Sequence, residues 1–179
     1  MRERPQVKQY ESTAETVKEV IHNIGTLMDY YAEDYHDLIS RTNNVSENLK
    51  NFLGGGQRKN TEIHERFFRE VEAETARAKQ LLTQQADSAM ANALVRALLL
   101  QDGKTFAYSD DTFKITLGAV EGFAIPLIEY MDAEDVQTCC EAYASKYPKN
   151  RMLPKQKELF KKMQSICGPV RTKKRSLFS

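Results

Sequence analysis

Two Glu-x-x-His pairs are the residues whose types and spacing most directly suggest chemistry in this chain. They are Glu19 with His22 and Glu33 with His36. Residues three positions apart share one face of a helix, and di-iron carboxylate bundles use this pairing to hold metal. Those bundles draw the pairs from two helices, whereas both pairs here fall on the outer face of one predicted helix. We therefore interpret them as a solvated helix face and expect no metal or other cofactor.

The three cysteines form no pattern that is typical of a metal or catalytic site. Cys139 and Cys140 are adjacent and Cys167 is distant, so the spacing does not resemble a zinc site. We predict reduced, structural thiols in an intracellular protein. Because the sequence also lacks a catalytic signature, we predict that the protein is not an enzyme, and we infer no small-molecule substrate.

A seam of apolar positions at heptad spacing is the strongest pattern in the sequence. Its positions alternate by four and three residues, and Thr42 alone among them is neither apolar nor aromatic. Such a run predicts a coiled-coil helix that needs a partner helix, either within this chain or on another one. The predicted partner-binding positions are Val17, Ile21, Ile24, Met28, Tyr31, Tyr35, Leu38, Val45, Leu49 and Phe52.

The elements around the seam predict an all-α protein. The first helix is expected to begin at a capping box of Ser12 and Glu15 and to end at the glycines 54–56. A second helix is expected from about residue 60 to residue 100, with a last part that is apolar on nearly all sides and therefore buried. Residues 12–103 are thus predicted to form a long antiparallel helical hairpin, coiled-coil-like in its packing.

The remaining segments are predicted to be smaller. Residues 1–11 are expected to be irregular, residues 104–168 to form a C-terminal helical part, and residues 169–179 to be a basic tail. Gly118 and Gly122 have the spacing of small residues that let helices approach closely. We expect that spacing to reflect close packing inside the core.

Charge is segregated along the chain behind a net charge of +1. Residues 1–100 have a net charge of −2, residues 101–147 of −6, and residues 148–179, with 10 basic and 1 acidic side chains, of +9. The basic end either meets an external acidic partner or folds back on the acidic segment. The sequence leaves both interpretations open.

The basic end is the second candidate site. Several of its lysines lie on one predicted amphipathic helix, and the charge continues into the tail. Such a helix can dock on an anionic membrane or on nucleic acid. The predicted basic surface comprises Lys155, Lys157, Lys161, Lys162, Arg171, Lys173, Lys174 and Arg175.

Together these patterns predict a non-enzymatic coiled-coil interaction or scaffold protein, which assembles with itself as a homodimer or with a helical partner. One alternative is a peripheral membrane-binding helical dimer that uses the basic end. The other is nucleic-acid binding through residues 148–179.

The longest apolar stretch, 113–131, contains charges and Pro126, so no transmembrane span is expected. The N-terminus lacks the apolar run of a signal peptide, which predicts a cytoplasmic location, with the nucleus as the alternative.

Overall fold

The structure, a computed structural model, describes residues 10–42, 55–101, 104 and 111–168. These residues are all-helical, without strands, as the sequence predicts. A ten-residue 3₁₀ segment, Glu121–Tyr130, and a short 3₁₀ turn, Lys149–Arg151, complete the described helices. The six α-helices within these ranges are α1 (Val17–Thr42), α2 (Gly55–Gln84), α3 (Ser88–Leu99), α4 (Asp111–Val120), α5 (Ala133–Lys146) and α6 (Pro154–Cys167).

Helix α1 begins one turn later than predicted, at a different capping box. The backbone N–H of Glu19 donates to the hydroxyl of Thr16 at 3.2 Å, and the Glu19 carboxylate accepts from the Thr16 N–H at 3.2 Å. This reciprocal pair satisfies two donors that a helix start leaves without a partner. Ser12, which the prediction paired with Glu15, instead donates to the carboxylate of Glu74 at 2.8 Å.

Helices α1 and α2 pack along each other in opposite directions. Asn23 donates to Glu74 at 3.3 Å, and Asp34 pairs with Arg66, so later residues of α1 meet earlier residues of α2. The residues between the two helices lie outside the described part of the chain. A continuous hairpin with coiled-coil packing therefore stays a prediction.

The start of α2 corrects the predicted linker. The helix begins at Gly55, among the glycines 54–56 that were expected to end the first helix, and not near residue 60. Glycine is among the residues accepted at the N-cap of a helix, so glycines at this point are compatible with a helix start.

The predicted second helix is also divided into two. Helix α2 ends at Gln84, and Asp87 caps α3 by accepting the N–H of Met90 at 3.0 Å. An aspartate side chain satisfies this N–H in a non-helical conformation, so it favours a new helix start over continuation. The break lets α3 pack against α1, the 3₁₀ segment and α5 with a fully buried apolar face.

Two glycines set the distance between α6 and the helices before it. A Cβ atom at Gly118 would lie 2.8 Å from Nε2 of Gln156, and one at Gly122 would lie 3.2 Å from Cβ of Lys155. The absent side chains therefore allow the start of α6 to lie directly on α4 and the 3₁₀ segment. This close approach brings the Gln156 side chain into the core, where it is buried.

Candidate functional site

The structure places the first half of the predicted seam inside the chain's own core. Ile21 and Leu38 are half-buried, whereas Val45, Leu49 and Phe52 lie outside the described residues. Other helices of the same chain thus cover this half, and the use of the seam by a partner stays a prediction. The buried seam residues are Val17, Ile24, Met28, Tyr31 and Tyr35.

The seam tyrosines belong to an aromatic cluster between α1, α2 and α4. The ring of Tyr31 stacks between those of Phe67 and Phe113, with centroids 4.4 and 5.3 Å away. Its hydroxyl lies 2.9 Å from Nδ1 of His64, and the hydroxyl of Thr116 lies 3.3 Å from the same atom. Burial lowers the pKa of His64 and so favours the neutral ring. The cluster is thus a packing contact in which two hydroxyls, those of Tyr31 and Thr116, meet one nitrogen of the half-buried His64 ring.

The two Glu-x-x-His pairs lie on the surface of α1. The side chains of Glu19, His22, Glu33 and His36 are all exposed. Among the described residues, no group of three or more His, Cys, Asp or Glu side chains has the arrangement to hold a metal ion.

The three thiols lie where α5 meets α6. Cys139 and Cys140 are buried, and Cys167 is half-buried, with its Sγ donating to the carbonyl of Met163 at 3.1 Å. Burial, followed by the neighbouring Cys167 thiol, raises the pKa of Cys140 to about 12. Since the thiolate is the reactive form, Cys140 is a poor nucleophile at neutral pH.

Helix α6 carries the described part of the predicted basic surface. Lys155, Lys157 and Lys161 are exposed and Lys162 is half-buried, whereas residues 171–175 lie outside the described part. The opposite face of the helix packs in the core, whereas Ile166 near the end of the helix is 40% exposed. The buried residues of α6 are Gln156, Leu159, Phe160 and Met163.

A buried carboxylate, which sequence reasoning missed, organises the C-terminal helices. Glu121 is fully buried and accepts hydrogen bonds from Tyr143 and Tyr147, both at 2.7 Å, and from Gln156 at 2.9 Å. The ammonium group of Lys146 lies 3.7 Å away. We call these five residues the closed network. Its sequence signal is a charged residue, Glu121, within the mostly apolar stretch 113–131.

The closed network shields the carboxyl group of Glu121 from solvent, and this burial determines the direction of its pKa shift. Burial raises the pKa of Glu121, and the hydrogen bonds from Tyr143, Tyr147 and Gln156 offset part of that effect. Burial and the nearby carboxylate also raise the pKa values of both tyrosines. Because its oxygens already accept three hydrogen bonds within the core, the carboxylate has a structural role.

A second buried carboxylate holds the chain before α1. Glu74 of α2 is fully buried and accepts from Tyr10 at 2.6 Å, Ser12 at 2.8 Å and Asn23 at 3.3 Å. All of these donors are neutral. Residues 10–14 are thereby held against α2, and Tyr10 forms one wall of an adjacent groove.

That groove, which we call the acidic groove, runs between α1 and α2 and has a volume of about 550 Å³. Its lining includes three carboxylates, Glu33, Asp34 and Glu70, and one guanidinium, that of Arg66. Asp34 pairs with Arg66. Burial raises the pKa of half-buried Glu70. The groove opens to solvent beside Tyr30, whose surface is 56% exposed.

Comparisons with known proteins identify no relative of this chain: no family model, curated protein or solved structure matches it. Within the described residues, every helix is too short or too polar to cross a membrane.

Proposed function

We propose that this chain is a non-enzymatic interaction or scaffold protein, and that α1 and α2, together the arm, carry its partner contacts. One observation supports this proposal above the others. Contacts within the fold occupy three buried or half-buried side chains that could perform acid–base chemistry, Glu121, Tyr143 and His64. The outer surface of the arm, in contrast, keeps an open groove and exposed charges.

The distal half of the seam is the part proposed to meet another helix. The positions up to Tyr35 are already covered by the chain's own helices. The heptad spacing continues through Leu38, Val45, Leu49 and Phe52. A stripe of this kind favours pairing with a second copy of the chain, and we propose a coiled-coil homodimer through this end of the arm.

The mass of the purified protein in solution tests this proposal. We expect light scattering to give a dimer at both low and moderate salt, because apolar seams depend weakly on ionic strength. Leu38→Glu should yield a monomer, since it places a charge on the seam. Ser40→Glu adds the same charge at an exposed position of α1 and is the matched control. A wild-type monomer, or a dimer that survives Leu38→Glu, would contradict self-assembly through the seam.

The exposed face of α6 supports a second candidate function, the binding of nucleic acid. Lys149 and Arg151 of the 3₁₀ turn extend the basic surface beside Lys155, Lys157 and Lys161, and all five side chains are exposed. Since the apolar face of α6 packs in the core, this surface acts through charge rather than through insertion. That arrangement favours phosphate contacts along nucleic acid over burial in a lipid bilayer.

Substitutions test this candidate better than deletion of residues 148–179, which would also remove buried side chains of the core. Changing Lys155, Lys157 and Lys161 to Gln should weaken duplex DNA binding and reduce the salt dependence of log K by roughly 3. The matched control changes Lys18, Lys79 and Lys114, which are exposed on other helices. Equal loss in both triple variants would contradict a defined site. Binding to phosphatidylserine vesicles but not to DNA would support the membrane alternative.

A further inference from the structure

The acidic groove holds more negative charge than its own residues neutralise. Of the carboxylates of Glu33, Asp34 and Glu70, only that of Asp34 forms an ion pair with the lining guanidinium, Arg66. Among the described residues, Glu70 accepts no hydrogen bond and forms no ion pair within 4 Å, although it is half-buried. Glu33 and Glu70 therefore have no ion-pair partner within 4 Å among the described residues, and the positive charges of Arg66 and Arg69 act on Glu70 only from farther away.

A fourth carboxylate, that of Glu74, lies behind the lining and strengthens the negative potential of the groove. Tyr10 and Asn23 line the groove, and both donate to the fully buried Glu74 behind them. Because these donors are neutral, they solvate the carboxylate without supplying a countercharge. Charge in a protein interior is screened less than charge in water, so Glu74 adds to the negative potential at the groove.

The walls of the groove suit a cation that has an apolar stem. Leu27 is only 7% exposed and forms part of the lining, and the ring of Tyr30 stands beside it at the solvent boundary. The long aliphatic stems of lysine and arginine lie against such apolar surface while their charged groups reach a carboxylate or an aromatic face. A volume of about 550 Å³ admits a few side chains of an extended segment.

We propose that the acidic groove binds a lysine- or arginine-containing peptide segment of a partner protein. The stem of one basic side chain lies on Leu27 and Tyr30, and its charged group pairs with Glu33 and Glu70. Charge complementarity selects this occupant, because an acidic or neutral segment would leave both carboxylates without a partner. The inference rests on the proposed role as an interaction protein and names the chemical class of its partner.

Fluorescence anisotropy with a short labelled peptide of alternating lysine and alanine tests this site on the full chain. The combined change of Glu33 and Glu70 to Gln should weaken peptide binding by roughly tenfold, because two charge pairs are lost. The matched control changes Glu65 and Glu72 to Gln; both are exposed on α2 and lie outside the groove lining. It removes the same net charge and should change affinity by about twofold or less. Equal effects in the two variants, or no binding of the peptide by the wild type, would overturn the proposal.

Tyr30→Ala gives a second measurement that does not depend on charge. Since Tyr30 is largely exposed, its removal should leave the fold intact and weaken peptide binding about threefold through loss of the aromatic contact. Unchanged affinity in this variant would count against the proposed position of the basic side chain. A peptide with glutamate in place of lysine should not bind, and binding of that peptide would contradict recognition by charge.

The chain's own basic tail is the competing occupant, and a further variant separates it from a partner. Changing Arg171, Lys173, Lys174 and Arg175 to Gln in the full chain should leave peptide affinity unchanged if the groove receives another protein. Tighter peptide binding by this variant would assign the groove to the tail and overturn the partner proposal. If the protein dimerises in light scattering but does not bind the peptide, the groove proposal is contradicted and the proposed self-assembly is not.

Discussion

The closed network and the acidic groove each contain a glutamate that is shielded from water, fully for Glu121 and in part for Glu70, and the two side chains differ in their hydrogen-bond partners. Around Glu121, two tyrosine hydroxyls and one amide donate at 2.7–2.9 Å, with Lys146 nearby. Glu70 lines the groove without a hydrogen bond from any described residue. Burial is the first cause of a raised pKa in both carboxyl groups. The difference is that the described residues supply three donors to Glu121 and none to Glu70.

Glu121→Ala should give the largest loss of stability. It leaves Tyr143, Tyr147 and Gln156 without their buried acceptor, and we expect the free energy of unfolding to fall by about 3–5 kcal/mol. Glu70→Ala should change it by about 0.5 kcal/mol or less, because no internal hydrogen bond is broken. Urea denaturation followed by circular dichroism measures both values. Similar losses of stability in the two variants would contradict the distinction between Glu121, which the fold uses, and Glu70, which it does not.

Gly118→Ala should disturb the closed network without touching its carboxylate. The added Cβ would lie 2.8 Å from Nε2 of Gln156, the atom that donates to Glu121. Gln156 is buried, so relief of this clash requires its side chain or the whole start of α6 to shift. We expect a loss of about 1–3 kcal/mol in the free energy of unfolding. If denaturation shows a neutral effect, the close approach of α6 is not what positions the amide.

The helical elements near the closed network could largely be predicted from sequence, whereas its central contact could not. Pro154 occupies the first position of α6, and the helix ends before Gly168, which has a φ of 78°. Such local signals define helix ends because they act on neighbouring backbone groups. The contacts of Glu121 come from residues 22, 26 and 35 positions away. No periodicity in the sequence carries that information.

The arm shows the complementary limit of sequence reasoning. Heptad spacing identified Ile24, Met28 and Tyr31 as positions that need cover, and all three are buried. The spacing could not reveal which helix covers them, because an apolar seam is satisfied equally by the same chain or by another. The groove was missed for a related reason: its carboxylates come from two helices, and only their packing brings Glu33 and Glu70 to one surface.

The pH dependence of stability should distinguish the two glutamates further. The pKa of Glu121 in the folded state lies above its ordinary value of 4.5, so between these values the folded protein binds more protons than the unfolded chain. The associated stability is fully present below the ordinary pKa and is lost as pH rises through the folded pKa. Its steepest contribution is about 1.4 kcal/mol per pH unit.

Glu121→Gln removes this titration and should flatten the corresponding fall in the free energy of unfolding. The measurement is urea denaturation at a series of pH values from about 4 upward, in the range where unperturbed carboxyl groups titrate. Glu70→Gln should flatten it less, because Glu70 is only half-buried and Arg66 offsets part of the shift. A larger effect at Glu70 than at Glu121 would reverse the comparison.

Gly25→Ala should give the smallest change, and it separates the stability of the arm from binding at the groove. Gly25 lies within α1, where glycine costs about 0.5–1 kcal/mol relative to alanine. Among the described residues, a Cβ there would meet only Cε and Nζ of Lys104, at 3.4 and 3.6 Å, and this long side chain can adjust. We therefore expect the free energy of unfolding, measured by urea denaturation, to rise by about 0.5–1 kcal/mol. Peptide affinity should stay within about twofold of the wild type, since Gly25 does not line the groove.

A stabilised arm that bound the peptide much more tightly would mean that the groove is only partly formed in the free protein, and that ordering of α1 is part of binding.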